Sequence, residues 1–194
     1  MIKIQHRVNT ANYLKKIPSD IGIEVDIRSN NKHLIIHHDP FEEGELFENW
    51  LRYYQHQTLI LNVKEEGLEK DLIKLMKQFK INDYFFLDQS FPFLLKYAKE
   101  SNGRSAVRFS EFESIETVLS LKNIVKWVWI DCFSSLSLTK TNYDILKENN
   151  FKICLVSPEL QSRFKTKEIT KFKSYLYDNR IDIDAVCTKN PDLW

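Results

Sequence analysis

The chain has 194 residues, of which 28 are Lys or Arg and 27 are Asp or Glu, so its formal net charge is only +1. A balance this close argues against a dedicated nucleic-acid-binding protein, because such proteins usually carry a clustered excess of cations. With 43% hydrophobic residues and only four Gly and five Pro, the sequence predicts a single domain over residues 1–194 without linkers or disordered tails.

Short runs rich in Ile, Val, Phe and Trp recur along the chain between polar or turn residues, which is typical of buried strands. They predict strands at residues 2–6, 21–27, 34–38, 58–63, 84–87, 105–109, 127–131, 152–156 and 183–187. Only a short polar turn separates residues 21–27 from residues 34–38. We therefore expect either one long bent strand there or a strand followed by an irregular segment.

Longer amphipathic segments lie between these runs and predict helices. One carries apolar residues at helical spacing at Leu68, Leu72, Leu75 and Met76, and the last extends from Phe164 to Leu176. Strand and helix alternate to the C-terminus, which indicates parallel strands covered by helices. If residues 21–38 fill one position, the sequence predicts an α/β fold, a compact (β/α)8 TIM barrel. A doubly wound open sheet is the alternative, although a Gly-rich phosphate loop is missing.

Polar side chains gather at the ends of the first two predicted strands, where parallel barrels carry their functional groups. His6 and Arg7 follow the first strand, and Glu24 and Asp26 alternate within the second. Residues i and i+2 of a strand face the same side, so both carboxylates point one way. Two buried acids side by side are costly unless a cation or a hydrogen-bonded partner offsets their charge.

The later strand ends add matching groups. His38 and Asp39 close one run, Asn62 and Lys64 repeat the i, i+2 spacing, and Arg108 lies near the end of another run. Taken singly, these residues fit solvated strand edges, a surface histidine or an ion pair. Together they offer carboxylates for a hard cation, cations for a phosphate and imidazoles for proton transfer. The combination predicts phosphoryl chemistry.

This series of residues resembles the phospholipase C-like phosphodiesterase superfamily, especially the glycerophosphodiester phosphodiesterases. The motifs that carry the resemblance are His6-Arg7, Glu24-Val25-Asp26, His38-Asp39, Asn62-Val63-Lys64 and Thr188-Lys189-Asn190-Pro191. They are densest over residues 1–66 and follow the family's order. The resemblance implies a TIM barrel that cleaves a small-molecule phosphodiester.

The resemblance also implies roles for the site residues. A divalent cation, Mg²⁺ or Ca²⁺, would be held by Glu24, Asp26 and Asn62. The phosphate would be bound by Arg7 and Lys64, and we add Arg108 as a third phosphate contact. The general base and the general acid would be His6 and His38. A hydroxyl group of the substrate would serve as the nucleophile, as in related enzymes.

Two positions depart from the family pattern. The glycine that follows His-Arg in the family is Val8 here, and the third acidic ligand is Asn62, which removes one negative charge from the cation site. The stretch His6-Arg7-Val8-Asn9 also resembles the divergent menorin branch. Two alternatives therefore stay open: a non-catalytic barrel that binds a phosphate ligand, and a barrel enzyme with other metal-dependent chemistry.

Cysteine usage and hydropathy bear on the cellular compartment. Cys132, Cys154 and Cys187 lie far apart in apolar runs, which favours buried thiols over a disulfide framework or a zinc site. The first residues lack the apolar stretch of a secretory signal. No segment approaches the roughly 20 apolar residues that cross a bilayer. We expect a cytoplasmic protein without a transmembrane segment.

Overall fold

The computed structural model describes residues 1–161 and 165–194, so Phe164, the predicted start of the last helix, lies outside the described residues. The strands are β1 (Ile2–Gln5), β2 (Gly22–Asn30), β3 (His33–Ile36), β4 (Glu45–Leu46), β5 (Leu59–Val63), β6 (Tyr84–Leu87), β7 (Ala106–Phe109), β8 (Trp127–Ile130), β9 (Lys152–Val156) and β10 (Ala185–Thr188). Each predicted strand has a counterpart among them, and β4 is additional.

Helices separate most of these strands. They are α1 (Ala11–Leu14), α2 (Phe47–Leu51), α3 (Glu69–Gln78), α4 (Phe91–Tyr97), α5 (Ile115–Ser120), α6 (Lys140–Glu148) and α7 (Glu168–Asp178). Short 3-10 turns occupy Pro158–Leu160 and Pro191–Leu193. Within the described ranges, none of these helices combines the length and the apolar character needed to span a membrane.

The contacts divide the chain into two compact units, which we call the central unit (residues 6–105) and the terminal unit (residues 1–5 and 106–194). In the central unit the strands follow the order β4-β3-β2-β5-β6. β2 pairs with β5 and β5 pairs with β6 in parallel, whereas β2 pairs with β3 and β3 pairs with β4 in antiparallel fashion. The sheet of this unit is therefore mixed.

The antiparallel pair corrects the prediction for residues 21–38. β2 and β3 form a hairpin in which Asn30 pairs with His33. The two residues between them, Asn31 and Lys32, have φ values of 52° and 88°. Positive φ at both central residues is the requirement of a two-residue type I′ hairpin turn. One bent strand is thus wrong, as is a strand followed by an irregular segment, and so is an arrangement in which all strands are parallel. The closed eight-stranded barrel and the single domain stay predictions.

The core of the central unit lies against one face of β2. Ile23, Val25 and Ile27 are completely buried there in a hydrophobic cluster with the aromatic side chains Phe47 and Trp50 of α2. Burying each such aliphatic side chain stabilises the fold by roughly 1.5–3 kcal/mol. Because alternate residues of a strand face opposite sides, this packing turns the intervening polar residues of β2 away from the core cluster.

The terminal unit carries a parallel sheet in the order β1-β10-β9-β8-β7. β1 pairs in register with β10, from Ile2 opposite Ala185 to Gln5 opposite Thr188. The three cysteines of this unit are buried, as their apolar surroundings predict. Burial raises the pKa of the Cys132 thiol to about 12, so this side chain is a protonated, packed group.

Candidate active site

Glu24 and Asp26 lie side by side on the polar face of β2, and both side chains are essentially inaccessible to solvent. The parallel register places Asn62 of β5 opposite Asp26. The Asn62 amide Nδ2 donates to Glu24 Oε1 over 2.8 Å and to Asp26 Oδ1 over 3.1 Å. The structure therefore brings together the three predicted cation ligands, with an amide N–H group between the two acids.

The segment that follows β1 supplies partners for the remaining carboxylate oxygens. Arg7, whose φ is 57°, donates its main-chain N–H to Glu24 Oε2 over 2.6 Å. Asn9 Nδ2 donates to Asp26 Oδ2 over 2.8 Å, and its Oδ1 accepts from the Asp26 main-chain N–H over 3.1 Å. Between them, Val8 donates its N–H to the Glu24 carbonyl and buries its side chain in the core. A valine at the family's glycine position is accommodated as a core residue.

Two cations lie against Asp26. Lys64 Nζ is 3.3 Å from Asp26 Oδ1 and 3.2 Å from Asp88 Oδ2, so it bridges the ends of β5 and β6. Arg7 Nε is 3.4 Å from Asp26 Oδ2, and 44% of the Arg7 side chain is exposed to solvent. The two predicted phosphate ligands of this unit thus converge on one buried acid, and Arg7 has the more accessible side chain of the two.

Burial sets the charge state of Glu24. Desolvation, together with the negative charge of Asp26, raises the pKa of Glu24 from 4.5 to about 7. The hydrogen bond from Asn62, the main-chain N–H of Arg7 and the charge of Lys64 oppose this rise. The carboxyl group therefore changes protonation near neutral pH.

Each predicted catalytic histidine has a carboxylate beside it. His6 Nε2 is 3.8 Å from Glu24 Oε2. His38 Nδ1 is 2.7 Å from Asp39 Oδ1, and this hydrogen bond lowers the pKa of Asp39 below its ordinary value. A hydrogen bond at Nδ1 fixes the orientation of the imidazole and leaves Nε2 for proton transfer.

The sequence interpretation missed two residues that contact this site. Arg28 donates to the main-chain carbonyls of His38 and Lys64. A signal was available for it, because Arg28 continues the alternation of Glu24 and Asp26 along β2 and so faces the same side. Asn9 lies in the loop between β1 and α1, outside the strand alternation, and its signal was the motif His6-Arg7-Val8-Asn9, from which no role was inferred for Asn9.

Arg108 lies in the terminal unit, near the end of β7. Its guanidinium group pairs with the carboxylate of Asp131. Asp131 also accepts hydrogen bonds from Trp129 Nε1 over 3.2 Å and from Gln161 Nε2 over 3.0 Å. Arg108 thus belongs to a polar network within its own unit, and its contact with a phosphate stays a prediction.

The oxygen atoms around Asn62 are chemically suited to a hard cation. Across the described residues, no three His, Cys, Asp or Glu side chains are grouped to hold a metal, so the third ligand here would be an amide. Glu24 Oε1 and Asp26 Oδ1 already face one point, the Asn62 amide. Asn62 Oδ1 is buried, and the described part of the chain offers it no hydrogen-bond donor. Rotating this amide by half a turn would present three oxygen ligands, the type that Mg²⁺ and Ca²⁺ prefer.

Comparisons with known proteins bear on the fold of this chain. No family model and no curated protein matches the sequence. Among solved structures, the chain is similar to the glycerophosphodiester phosphodiesterase from Agrobacterium tumefaciens, with a TM-score of 0.72 and 10% identity over 100% of this chain and 98% of that one. A glycerophosphoryl diester phosphodiesterase from Parabacteroides distasonis gives a TM-score of 0.65 and 11% identity over 99% and 84% of the two chains.

A second kind of enzyme is also similar. A mutant tryptophan synthase α-subunit from Pyrococcus furiosus gives a TM-score of 0.57 and 11% identity over 98% of this chain and 88% of that one. The phosphodiesterases are thus the better structural match. The predicted likeness to glycerophosphodiester phosphodiesterases is confirmed for the fold, and identities this low carry nothing about the reaction.

Proposed function

We propose that this protein is an enzyme that cleaves phosphodiesters with the help of a divalent cation. The observation that carries the proposal is the contact network of Glu24, Asp26, Asn62, Arg7 and Lys64, which we call the acid–amide cluster. It lies on a fold similar to that of glycerophosphodiester phosphodiesterases. In that setting, paired buried acids with flanking cations suit the binding of a metal ion and a phosphate.

The cations of the acid–amide cluster would bind the phosphodiester anion. Arg7 has a half-exposed guanidinium group, which can contact two phosphate oxygens at once. Lys64, whose ammonium group contacts Asp26 and Asp88, would present a point charge to the phosphate. We keep Arg108 as a third proposed phosphate ligand.

Glu24, Asp26 and Asn62 would hold the cation, Mg²⁺ or Ca²⁺. When bound, this ion supplies a Lewis acid that polarises a phosphoryl oxygen. With two anionic ligands instead of three, we expect weaker binding than at a site built from three carboxylates.

His6 and His38 would move the protons, His6 as general base and His38 as general acid. His38 already has Asp39 at Nδ1, so its Nε2 is the atom that would protonate the leaving oxygen. His6 Nε2 lies near Glu24 Oε2, where an imidazole can accept the proton of an attacking hydroxyl. The attacking hydroxyl belongs to the substrate or to water, and the two differ in product: a cyclic phosphate or a phosphomonoester.

Activity assays on the purified protein test this function. Bis(p-nitrophenyl) phosphate and glycerophosphodiesters should be cleaved in the presence of Mg²⁺ or Ca²⁺, with ³¹P NMR identifying the product. His6→Ala and His38→Ala should each lower the rate by about 100-fold or more. His33→Ala, which removes an exposed histidine of β3, is the matched control and should retain activity. Wild-type rates in both site variants would disprove the acid–base assignment.

The main alternative is a barrel that binds a phosphorylated ligand without turnover. It is favoured by the acid–amide cluster itself, because the two acids already have protein partners in Asn62, Arg7, Asn9 and Lys64. Calorimetry separates the two: tight binding of a phosphate ester without cation-dependent cleavage would support the binding protein. The likeness to a tryptophan synthase subunit keeps other barrel chemistry as a further alternative. A cytoplasmic location and the lack of a nucleic-acid partner stay predictions.

A further inference from the structure

The side chain of Arg28 spans the main chain at two places in the central unit. Its Nε and Nη2 donate to the His38 carbonyl over 3.1 and 2.9 Å, and its Nη1 donates to the Lys64 carbonyl over 3.2 Å. Only 14% of the Arg28 side chain is exposed, so these hydrogen bonds are largely shielded from water. One planar group thus joins two segments that are 26 residues apart.

Both segments lie just beyond the ends of strands. His38 follows β3 and Lys64 follows β5, and these strands flank β2, from which Arg28 extends. A carbonyl beyond a strand end has lost its regular partner in the sheet, and a buried one needs another donor. The Lys64 main chain is held from the other side as well, because its N–H donates to the Ile27 carbonyl over 3.0 Å.

The guanidinium group is suited to this task in a way that an ammonium group is not. Its donors lie in one rigid plane and point in fixed directions, so the distance between two acceptors is set by the group itself. Glu65 Oε2 is 3.9 Å from Arg28 Nη1 and offsets part of the positive charge. Arg28 therefore has Glu65 as its ion-pair partner, and its hydrogen bonds go to main-chain carbonyls.

We propose that Arg28 is a positioning residue that sets the spacing between His38 and Lys64. This inference rests on the proposed function, in which His38 moves a proton and Lys64 holds the phosphate. Arg28 acts through the main chain of these two residues and does not contact the reacting atoms. Misplacing a catalytic group by about 1 Å can cost about 100-fold in rate, so a spacer of this kind matters for turnover.

Substitution by lysine tests the spacer, because Arg28→Lys keeps the charge and loses the planar fork. Arg104→Lys is the matched control: Arg104 also donates to two main-chain carbonyls of the central unit, those of Asn82 over 3.2 Å and Ser101 over 3.3 Å. We expect Arg28→Lys to lower kcat by about 10- to 100-fold, with a smaller rise in KM. Arg104→Lys should keep the kcat of the wild type. We expect its melting temperature to fall by about as much as that of Arg28→Lys. Equal kcat values in the two variants would overturn the proposal.

NMR of ¹⁵N-labelled histidine gives a readout that does not depend on turnover. Assigned with His38→Ala, the His38 imidazole signals should shift in Arg28→Lys and stay in place in Arg104→Lys. If the wild type cleaves no phosphodiester, the proposed function fails while this measurement still decides the role of Arg28. His38 signals unchanged in Arg28→Lys would overturn the positioning role whatever the wild-type activity.

Discussion

At the scale of single residues, the amide of Asn62 decides what the buried acids face. Its Nδ2 donates to Glu24 and to Asp26, so a neutral group lies where a carboxylate would add a third negative charge. Its Oδ1 is buried and has no donor among the described residues. A buried acceptor without a donor costs about 1–3 kcal/mol, which a bound cation would offset once the amide turned.

Asn62→Asp should raise the affinity for Mg²⁺ or Ca²⁺, because the added anionic ligand strengthens a hard-cation site. We expect at least about tenfold tighter binding by calorimetry, in line with the dependence of such sites on ligand charge. Without cation the variant should melt at a lower temperature than the wild type, since three buried carboxylates then repel one another.

Asn49→Asp is the control for this change, because it adds the same charge at an exposed position of α2. It should alter neither the cation affinity nor the effect of the cation on the melting temperature. Identical cation binding by Asn62→Asp and the wild type would show that Asn62 is not a ligand.

At the scale of elements, β2 organises the site. One of its faces carries Glu24, Asp26 and Arg28, and two of the strands that pair with it, β3 and β5, end just before the segments with His38 and Lys64. The loop after β3 returns to the sheet at Gly44, next to β4. A Cβ atom on Gly44 would lie only 2.4 Å from the Ile36 carbonyl oxygen, so the close return requires glycine.

Gly44→Ala should therefore destabilise the protein by about 1–3 kcal/mol, the usual cost of forcing extra volume into a packed position. The strain falls on main-chain atoms of Ile36, which cannot rotate away as a side chain could. Chemical denaturation measures the effect. Glu43→Ala, at the exposed neighbouring position, should stay within about 0.5 kcal/mol of the wild type. Equal stability of the two variants would contradict the close contact.

Strand positions could be read from the sequence because buried strands are runs of β-branched and aromatic residues. The hairpin after β2 could not, for a local reason. Its two turn residues, Asn31 and Lys32, take left-handed φ values without the glycine that usually signals such a turn. The reversal is instead stabilised by pairing between β2 and β3, which a linear pattern does not reveal.

The site was predictable to the extent that its residues follow strand alternation. Glu24 and Asp26 share a face for that reason, and the register of β5 then brings Asn62 to them. The contacts of Asn9 depend on how the loop after β1 passes beside β2. The network around Arg108 depends on the pairing of β7 with β8. Both are long-range arrangements that residue spacing does not encode.

At the scale of the whole molecule, a net charge near zero coexists with buried acidic residues, of which Glu24 is one. Glu24 has hydrogen-bond partners, but it is completely buried next to another acid, and its pKa is raised to about 7. Between pH 4.5 and 7, folded Glu24 therefore holds more protons than it does in the unfolded chain. By linkage, its contribution makes the free energy of unfolding fall as the pH rises through this window and stay level above it.

The fall attributable to Glu24 should reach about 3 kcal/mol at most, as its pKa shift implies. Denaturant unfolding of the wild type and Glu24→Gln at several pH values would measure it as a difference in slope, because the glutamine cannot titrate. Glu48→Gln, at an exposed position of α2, should keep the wild-type slope. A wild-type slope in Glu24→Gln would show that this carboxyl titrates normally.

The pairing of β1 with β10 has a consequence for biosynthesis. Gln5 Nε2 donates to the carbonyl of Lys189, which is 184 positions further along the chain. The strands β1 and β10 pair in parallel next to this contact. A ribosome releases β1 before the whole central unit and releases β10 after it. Residues 6–105 can fold before β10 is synthesised, whereas β1 gains its β10 partner only afterwards. Until then the edge of β1 that pairs with β10 is exposed, and a chaperone can shield an unpaired edge of this kind.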